Sequence, residues 1–159
     1  DVILRGILYH NQPEPPKTES PECLLSTKIL RDADKLDIYR VVTSYYLQKD
    51  SRSNPALELE LPDTPGISEA VYRDFQEGRV IPFAHLGNLN DFKVLQVAWV
   101  FDLNFAETAR RVGERGYLER IRQALPDGDP RIEEVFAIAR SELDRRSRGK
   151  RAESIELPT

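Results

Sequence analysis

Residues 94–103 constrain this chain more than any other segment. Val94, Leu95, Val97, Ala98, Trp99, Val100, Phe101 and Leu103 fall nearly all round a helical wheel drawn at ~100° per residue, and a helix without a polar face is buried on all sides. The fold must therefore wrap other elements around a central helix. A chain of 159 residues is long enough to do so as one domain, burying roughly 70% of its unfolded surface without disulfides or a structural metal. The remaining apolar residues recur mostly at helical spacing, so residues 1–159 are read as a single all-α domain, a compact bundle of about five or six helices.

Composition narrows the classes. Hydrophobic residues make up 40% and charged residues 31%, ordinary for a globular chain and too apolar for a disordered one. With 23 Lys and Arg against 27 Asp and Glu, the net charge of −4 argues against non-specific nucleic-acid coating, which needs a basic surface. The single Cys23 has no internal disulfide partner, which makes a reducing cytoplasm the default. No apolar run approaches the ~18 residues of a membrane span, and Asp1-Val2-Ile3-Leu4-Arg5 lacks the basic and long apolar regions of a signal peptide. Self-association as a homo-oligomer is compatible with the pattern. The chain contains no methionine and opens on Val2-Ile3-Leu4, like the middle of a helix with no cap; the expectation is that the natural chain extends upstream into the same domain.

Punctuation marks the elements. The first helix ends near Asn11, because Gln12-Pro13-Glu14-Pro15-Pro16 forbids its continuation. Ser20-Pro21-Glu22 supplies an N-cap, a first-turn proline and an acid at the positive end of a helix running to about Gln48. Residues 50–66 read as a loop, with Leu57-Glu58-Leu59-Glu60-Leu61 alternating like a short strand. Ser68 caps a helix to about Glu77 that Gly78 ends; Asn90 or Asp91 begins another; Asn104-Phe105-Ala106-Glu107 is a capping-box pattern. Asp129-Pro130 starts the last helix, which fades into a basic run from Arg145 to Arg151 expected to be solvated and frayed.

The second helix holds the most informative stretch, Lys28 to Val42. Wheel geometry centred on Ala33 puts Lys28, Arg31, Asp32 and Lys35 on one side, read as the solvated face, and Ile29, Leu30, Leu36, Ile38 and Val41 opposite. Asp34 and Asp37 fall inside that apolar arc, one turn apart. Two carboxylates facing a core repel each other and lose solvation, so a positive partner must answer them. Arg40, three residues after Asp37, could do so through an internal ion pair; a divalent cation could do so as well, since paired carboxylates are hard ligands. His10 shares a stripe with Ile3 and Ile7 and ends its helix, where the dipole favours a cationic or metal-bound imidazole. It too has two readings, a hydrogen-bonded packing residue or a ligand. His85 and Cys23 show no catalytic surroundings, and no phosphate loop, CxxC, HExxH or GxSxG pattern occurs.

Tyr9-His10-Asn11 followed by Leu30-Arg31-Asp32-Ala33-Asp34-Lys35-Leu36-Asp37-Ile38 resembles the later part of an HD-domain metal-dependent phosphohydrolase, over about residues 3–42. Residues 86–121, with Asn90-Asp91-Phe92 and Trp99 to Phe105, are similar to the C-terminal helices of a poorly characterised bacterial subgroup of that family. The resemblance implies an all-α fold, Asp34 and His10 as metal ligands, and hydrolysis of a nucleotide-like phosphoester by metal-activated water. Mn, Fe, Co, Ni and Mg all suit such a site. It further implies Asp37 as the residue that orients a ligand or accepts a proton; Lys35, solvent-facing on the wheel, has two readings, a phosphate-contacting cation or a surface charge paired with neighbouring acids. The sequence holds no His-Asp dipeptide, the family's other ligating element, which the expected upstream segment would supply. The alternative is a helical regulatory or protein-interaction module that keeps the fold without catalysis.

Overall fold

The computed structural model describes residues 1–12, 15–48 and 54–149. Among them are eight α-helices and no strand. In chain order these are α1 (Val2–Tyr9), α2 (Pro21–Tyr46), α3 (Pro55–Glu58), α4 (Glu69–Gln76), α5 (Leu89–Ala98), α6 (Ala106–Glu114), α7 (Tyr117–Gln123) and α8 (Pro130–Ser147). Two 3₁₀ turns, Phe83–His85 and Trp99–Asp102, flank α5. The all-α reading of the sequence holds, with more and shorter helices than expected.

The central helix lies where its composition demands. Val94, Val97 and Ala98 of α5 are completely buried, among Val71 and Phe75 of α4, Ile121 of α7 and Phe136 of α8. Burying each such side chain stabilises by roughly 1.5–3 kcal/mol. Helix α2 joins this core through one aromatic anchor. The Tyr39 ring stacks on Tyr117 at 5.4 Å and meets Trp99 edge-on at 5.5 Å, and its hydroxyl donates to the Gln96 carbonyl at 2.8 Å. Burial pushes the Tyr39 phenol well above its usual range. Helix α1 packs on α2 alone among its larger contacts, and Gly6 permits this: a Cβ there would stand 2.9 Å from Ser26 Oγ. Glu19 clamps the pair from the connecting loop, accepting from Arg5 at 2.9 Å and Tyr9 at 2.8 Å. Asp1 does cap α1, its carboxylate accepting from the Ile3 amide.

The capping signals at Ser20 and Asp129 act as read, each accepting an amide of the first turn. Three others differ. Leu57-Glu58-Leu59-Glu60-Leu61 is not a strand: Asn54 caps and Pro55 opens a single helical turn, which ends as Leu59 enters the left-handed region at φ 54°. Helix α5 begins two residues early because Asn88, rather than Asn90, caps it by accepting from the Asp91 amide at 2.9 Å. The Asn104 capping box does not form. The carboxylate of Asp32 reaches across from α2 and accepts the Asn104 amide at 2.9 Å, the Phe105 amide at 3.0 Å and the Asn104 Nδ2 at 2.8 Å. Glu107 pairs instead with Arg110 and Arg111. In the basic run, Arg146 is not frayed, since its guanidinium donates to the carbonyls of Phe101 and Leu103; residues 150 and 151 lie outside the described residues.

Asp32 is 3% exposed, and removing its carboxylate takes the acceptor from three part-buried donors at the start of α6. Asp32→Ala is expected to lower the unfolding free energy by about 1–2 kcal/mol in urea denaturation, whereas Asp37→Ala leaves it unchanged. Equal stability of the two variants would contradict this assignment.

Candidate functional site

Helix α2 does not present the face that hydrophobicity suggests. Its buried side chains include Cys23, Thr27, Arg31, Lys35, Tyr39 and Thr43, a stripe at four-residue spacing and largely polar. Ile29 and Val41 of the supposed core arc are exposed, at 51% and 38%. The wheel is thus turned: Arg31, Asp32 and Lys35, read as solvated, point inward, and Asp37 points out. The physical reason is that each inward polar group has a partner. Thr27 and Thr43 hydroxyls donate one turn back, to the carbonyls of Cys23 and Tyr39. Arg31 and Lys35 both reach Asp102 Oδ2, at 2.6 and 2.8 Å.

This triad, its two cations buried and Asp102 half-buried, lines a cavity of about 570 Å³ between the end of α1, the middle of α2 and the turn after α5. His10, Asp34 and Lys35 all line it. Arg31 anchors one rim. While one nitrogen holds Asp102, the other donates to the backbone carbonyls of His10 and Gln12, fixing the loop that carries the histidine. His10 caps the C-terminus of α1, half-buried. Its Nδ1–H donates to the Ile7 carbonyl at 2.6 Å, which leaves Nε2 as the nitrogen with a free lone pair. The stripe shared with Ile3 and Ile7 does not face the core, since those two are 65% and 51% exposed. Asp34 is half-buried, and no described donor lies within hydrogen-bond distance of its carboxylate. The rest of the lining is largely apolar and aromatic, including Ile38, Val80, Phe83 and Trp99.

Asp37 does not join them. It does not line the cavity; its carboxylate is 65% exposed and paired at 2.7 Å with Arg40, an exposed bridge of little energetic weight. The ion pair with Arg40 thus forms, at the surface rather than in a core. The sequence reading also missed Arg31 and Asp102 as parts of the site. Their signal was present in the four-residue spacing of the polar stripe, which only a partner on another element makes intelligible. Outside the cavity, His85 has an acidic neighbour after all, donating from Nδ1 to the buried Asp74 carboxylate, which also holds Arg79 at 2.5 Å. Cys23 is buried, and burial raises its thiol pKa, as fits a packing residue.

Among the described residues no three His, Cys, Asp or Glu side chains are grouped to hold a metal ion, and no helix is long and apolar enough to cross a membrane. No protein-family model, curated protein or solved structure matches the chain.

Arg31→Lys keeps the charge but cannot span Asp102 and two carbonyls at once. The expected result is faster amide hydrogen exchange through α1 and the following loop, with α5 unchanged. Unaltered exchange in α1 would show that Arg31 does not hold it.

Proposed function

We propose that the cavity between α1, α2 and the Trp99–Asp102 turn is the substrate site of a metal-dependent phosphohydrolase acting on a nucleotide-like phosphoester. The observation that carries this reading is the meeting of His10 and Asp34, from different helices, in one cavity beside Lys35. Their chemistry fits ligation. The His10 Nδ1–H is anchored on a backbone carbonyl, the arrangement that orients metal-binding imidazoles and frees Nε2. The Asp34 carboxylate has no competing donor. An imidazole beside a carboxylate suits a transition ion such as Mn²⁺, Fe²⁺, Co²⁺ or Ni²⁺, whose other positions water and phosphate oxygens would fill. Bound there, a divalent cation supplies an activated water and polarises the phosphoryl oxygen.

The chain's own residues divide the remaining work. Arg31 is fully committed to Asp102 and two carbonyls, so it positions His10 and does not reach for substrate. Lys35 holds only Asp102; its ammonium sits on a flexible stem and can turn toward a phosphate oxygen while Arg31 continues to neutralise Asp102. Trp99, Phe83 and Ile38 offer a wall for the flat, apolar part of a nucleotide-like substrate. Asp37, at the surface on Arg40, has no part in this reading.

A second reading, a protein-interaction module, has one observation in its favour. Ile3, Leu4, Ile7 and Leu8 of α1 stand between half and two-thirds exposed, more apolar surface than a lone helix usually shows to water.

Mn²⁺ affinity measured by electron paramagnetic resonance separates the readings. Asp34→Asn and His10→Ala are each expected to weaken binding about tenfold or more, and Asp37→Asn to leave it unchanged. No saturable Mn²⁺ or Mg²⁺ binding by the folded wild type would remove the hydrolase reading and leave the interaction module.

A further inference from the structure

A second cavity, sharing no lining residue with the first, opens at the far end of α2. It measures about 230 Å³, below the roughly 300 Å³ at which sites for drug-sized ligands begin, so its occupant is a small molecule. Two opposite charges stand in its wall without meeting. Lys93 of α5 is half-buried. Its ammonium donates to the Ala124 carbonyl at 2.9 Å, at the end of α7, and lies 3.5 Å from Asn90 Oδ1, with the Tyr46 ring 5.6 Å away. These neighbours all favour the ammonium form. An ammonium carries three donors, so one N–H is left for a ligand, and no described carboxylate is ion-paired with it. Asp63 lines the same cavity. Its backbone is fixed from both sides, because the Leu89 amide donates to the Pro62 carbonyl at 3.0 Å and Asn90 Nδ2 donates to the Thr64 carbonyl at 3.0 Å. Leu89 and Asn90 lie one turn before Lys93 on α5, so the anion and the cation are carried by one rigid element. Asp63 acts on Lys93 through space, yet no described group is hydrogen-bonded or ion-paired with its carboxylate.

We infer that this second cavity binds a free α-amino acid with a short apolar side chain, its carboxylate on Lys93 and its ammonium on Asp63. A ligand with a single charge answers only half of the wall. A simple anion meets Lys93 but is opposed by Asp63 and by Glu58, which also lines the cavity. A simple amine meets Asp63 but leaves the remaining Lys93 N–H without an acceptor. A molecule carrying both charges a few bonds apart makes a charge-assisted hydrogen bond at each end. Leu57, Leu89 and Phe92, all half-buried on the same cavity, then remove the side chain from water, which favours an aliphatic one. The site is largely organised in advance. Lys93 is tied to Ala124, the Asp63 segment is tied to α5, and the Tyr45 hydroxyl holds the α3 rim by donating to Glu58 at 2.5 Å and accepting the Asn54 amide at 2.9 Å. Little ordering is therefore left to oppose binding. The site lies apart from the proposed hydrolase cavity and needs no metal.

Isothermal titration calorimetry on the full chain at neutral pH, with no metal added, tests this. The probes are L-leucine, 4-methylpentanoate, which lacks the ammonium, and 3-methylbutylamine, which lacks the carboxylate. Leucine is expected to bind saturably, and each truncated probe about tenfold or more weaker, the loss of one charge-assisted hydrogen bond. Lys93→Gln is expected to weaken leucine by a similar factor. Because Lys93 also holds the end of α7, the second variant is Asp63→Asn, at an exposed position whose carboxylate bonds nothing in the fold. Asp63→Asn is expected to keep the helical circular dichroism and to remove the preference for leucine over 4-methylpentanoate. No saturable leucine binding at millimolar concentration would overturn the site. Binding of 3-methylbutylamine as tight as that of leucine, or an unchanged preference in Asp63→Asn, would overturn the amino-acid class.

Discussion

The carboxylate of Asp32, accepting two backbone amides and one side-chain amide from Asn104 and Phe105, fixes the segment on which much else depends. The chain leaves the central helix α5 at Trp99 and must turn before α6. That turn has no strand partner and, at Phe105, no capping side chain of its own. Its polar groups are satisfied from two distant helices. Asp32 and Arg31 arrive from α2, and Arg146 arrives from α8 to hold the carbonyls of Phe101 and Leu103. A buried backbone polar group without a partner costs about as much as a lost hydrogen bond, so this turn holds its conformation only while α2 and α8 are docked. The same contacts set the floor of the larger cavity, because Asp102 is both the residue Arg31 anchors and the counter-ion of Lys35.

How far the fold was legible follows from where each determinant lies. Ser20, Asp129 and the all-apolar run after Asn90 act within their own helix, through spacing and local hydrogen bonds, and the sequence discloses them. Asn104 looked like a cap for the same local reason. The donor to be satisfied there is taken by Asp32, more than seventy residues earlier, and no local pattern announces that competition. Leu57 to Leu61 alternated as a strand does, yet alternation is a statement about two faces of a sheet. With no second strand to pair with among the described residues, the Asn54-Pro55 helix start prevailed.

Helix α2 explains why the site was half legible. Hydrophobicity located Asp34 and His10 as candidates, and both line the cavity, but it set the wheel in the wrong phase. An apolar residue loses only a few tens of calories per Å² when exposed, so Ile29 and Val41 can be left in water. A buried charge without a partner is far costlier, and that penalty applies only if the partner is absent. Arg31 and Lys35 could turn inward because Asp102 awaits both. The phase of a helix with mixed faces is therefore decided by its partners, which a single helix cannot reveal. Asp37 is the converse case: Arg40 beside it sufficed, and the pair stayed at the surface.

The two cavities stand on one structural device used in two ways. Near its middle, α2 buries cations against a carboxylate, and Arg31 is bonded so completely that it acts as scaffold, leaving Lys35 as the adaptable charge. At its end, α2 offers Tyr46 to a cation on α5 that has no carboxylate of its own. In the first arrangement Asp102 Oδ2 takes the Lys35 ammonium at 2.8 Å. In the second, the Ala124 carbonyl and the Tyr46 ring hold Lys93 in place of a carboxylate. Two lysines of the same fold are thereby held by different partners, Lys35 by a carboxylate and Lys93 by a carbonyl dipole and an aromatic face. The difference lies in the neighbours each stem reaches and not in the lysines themselves.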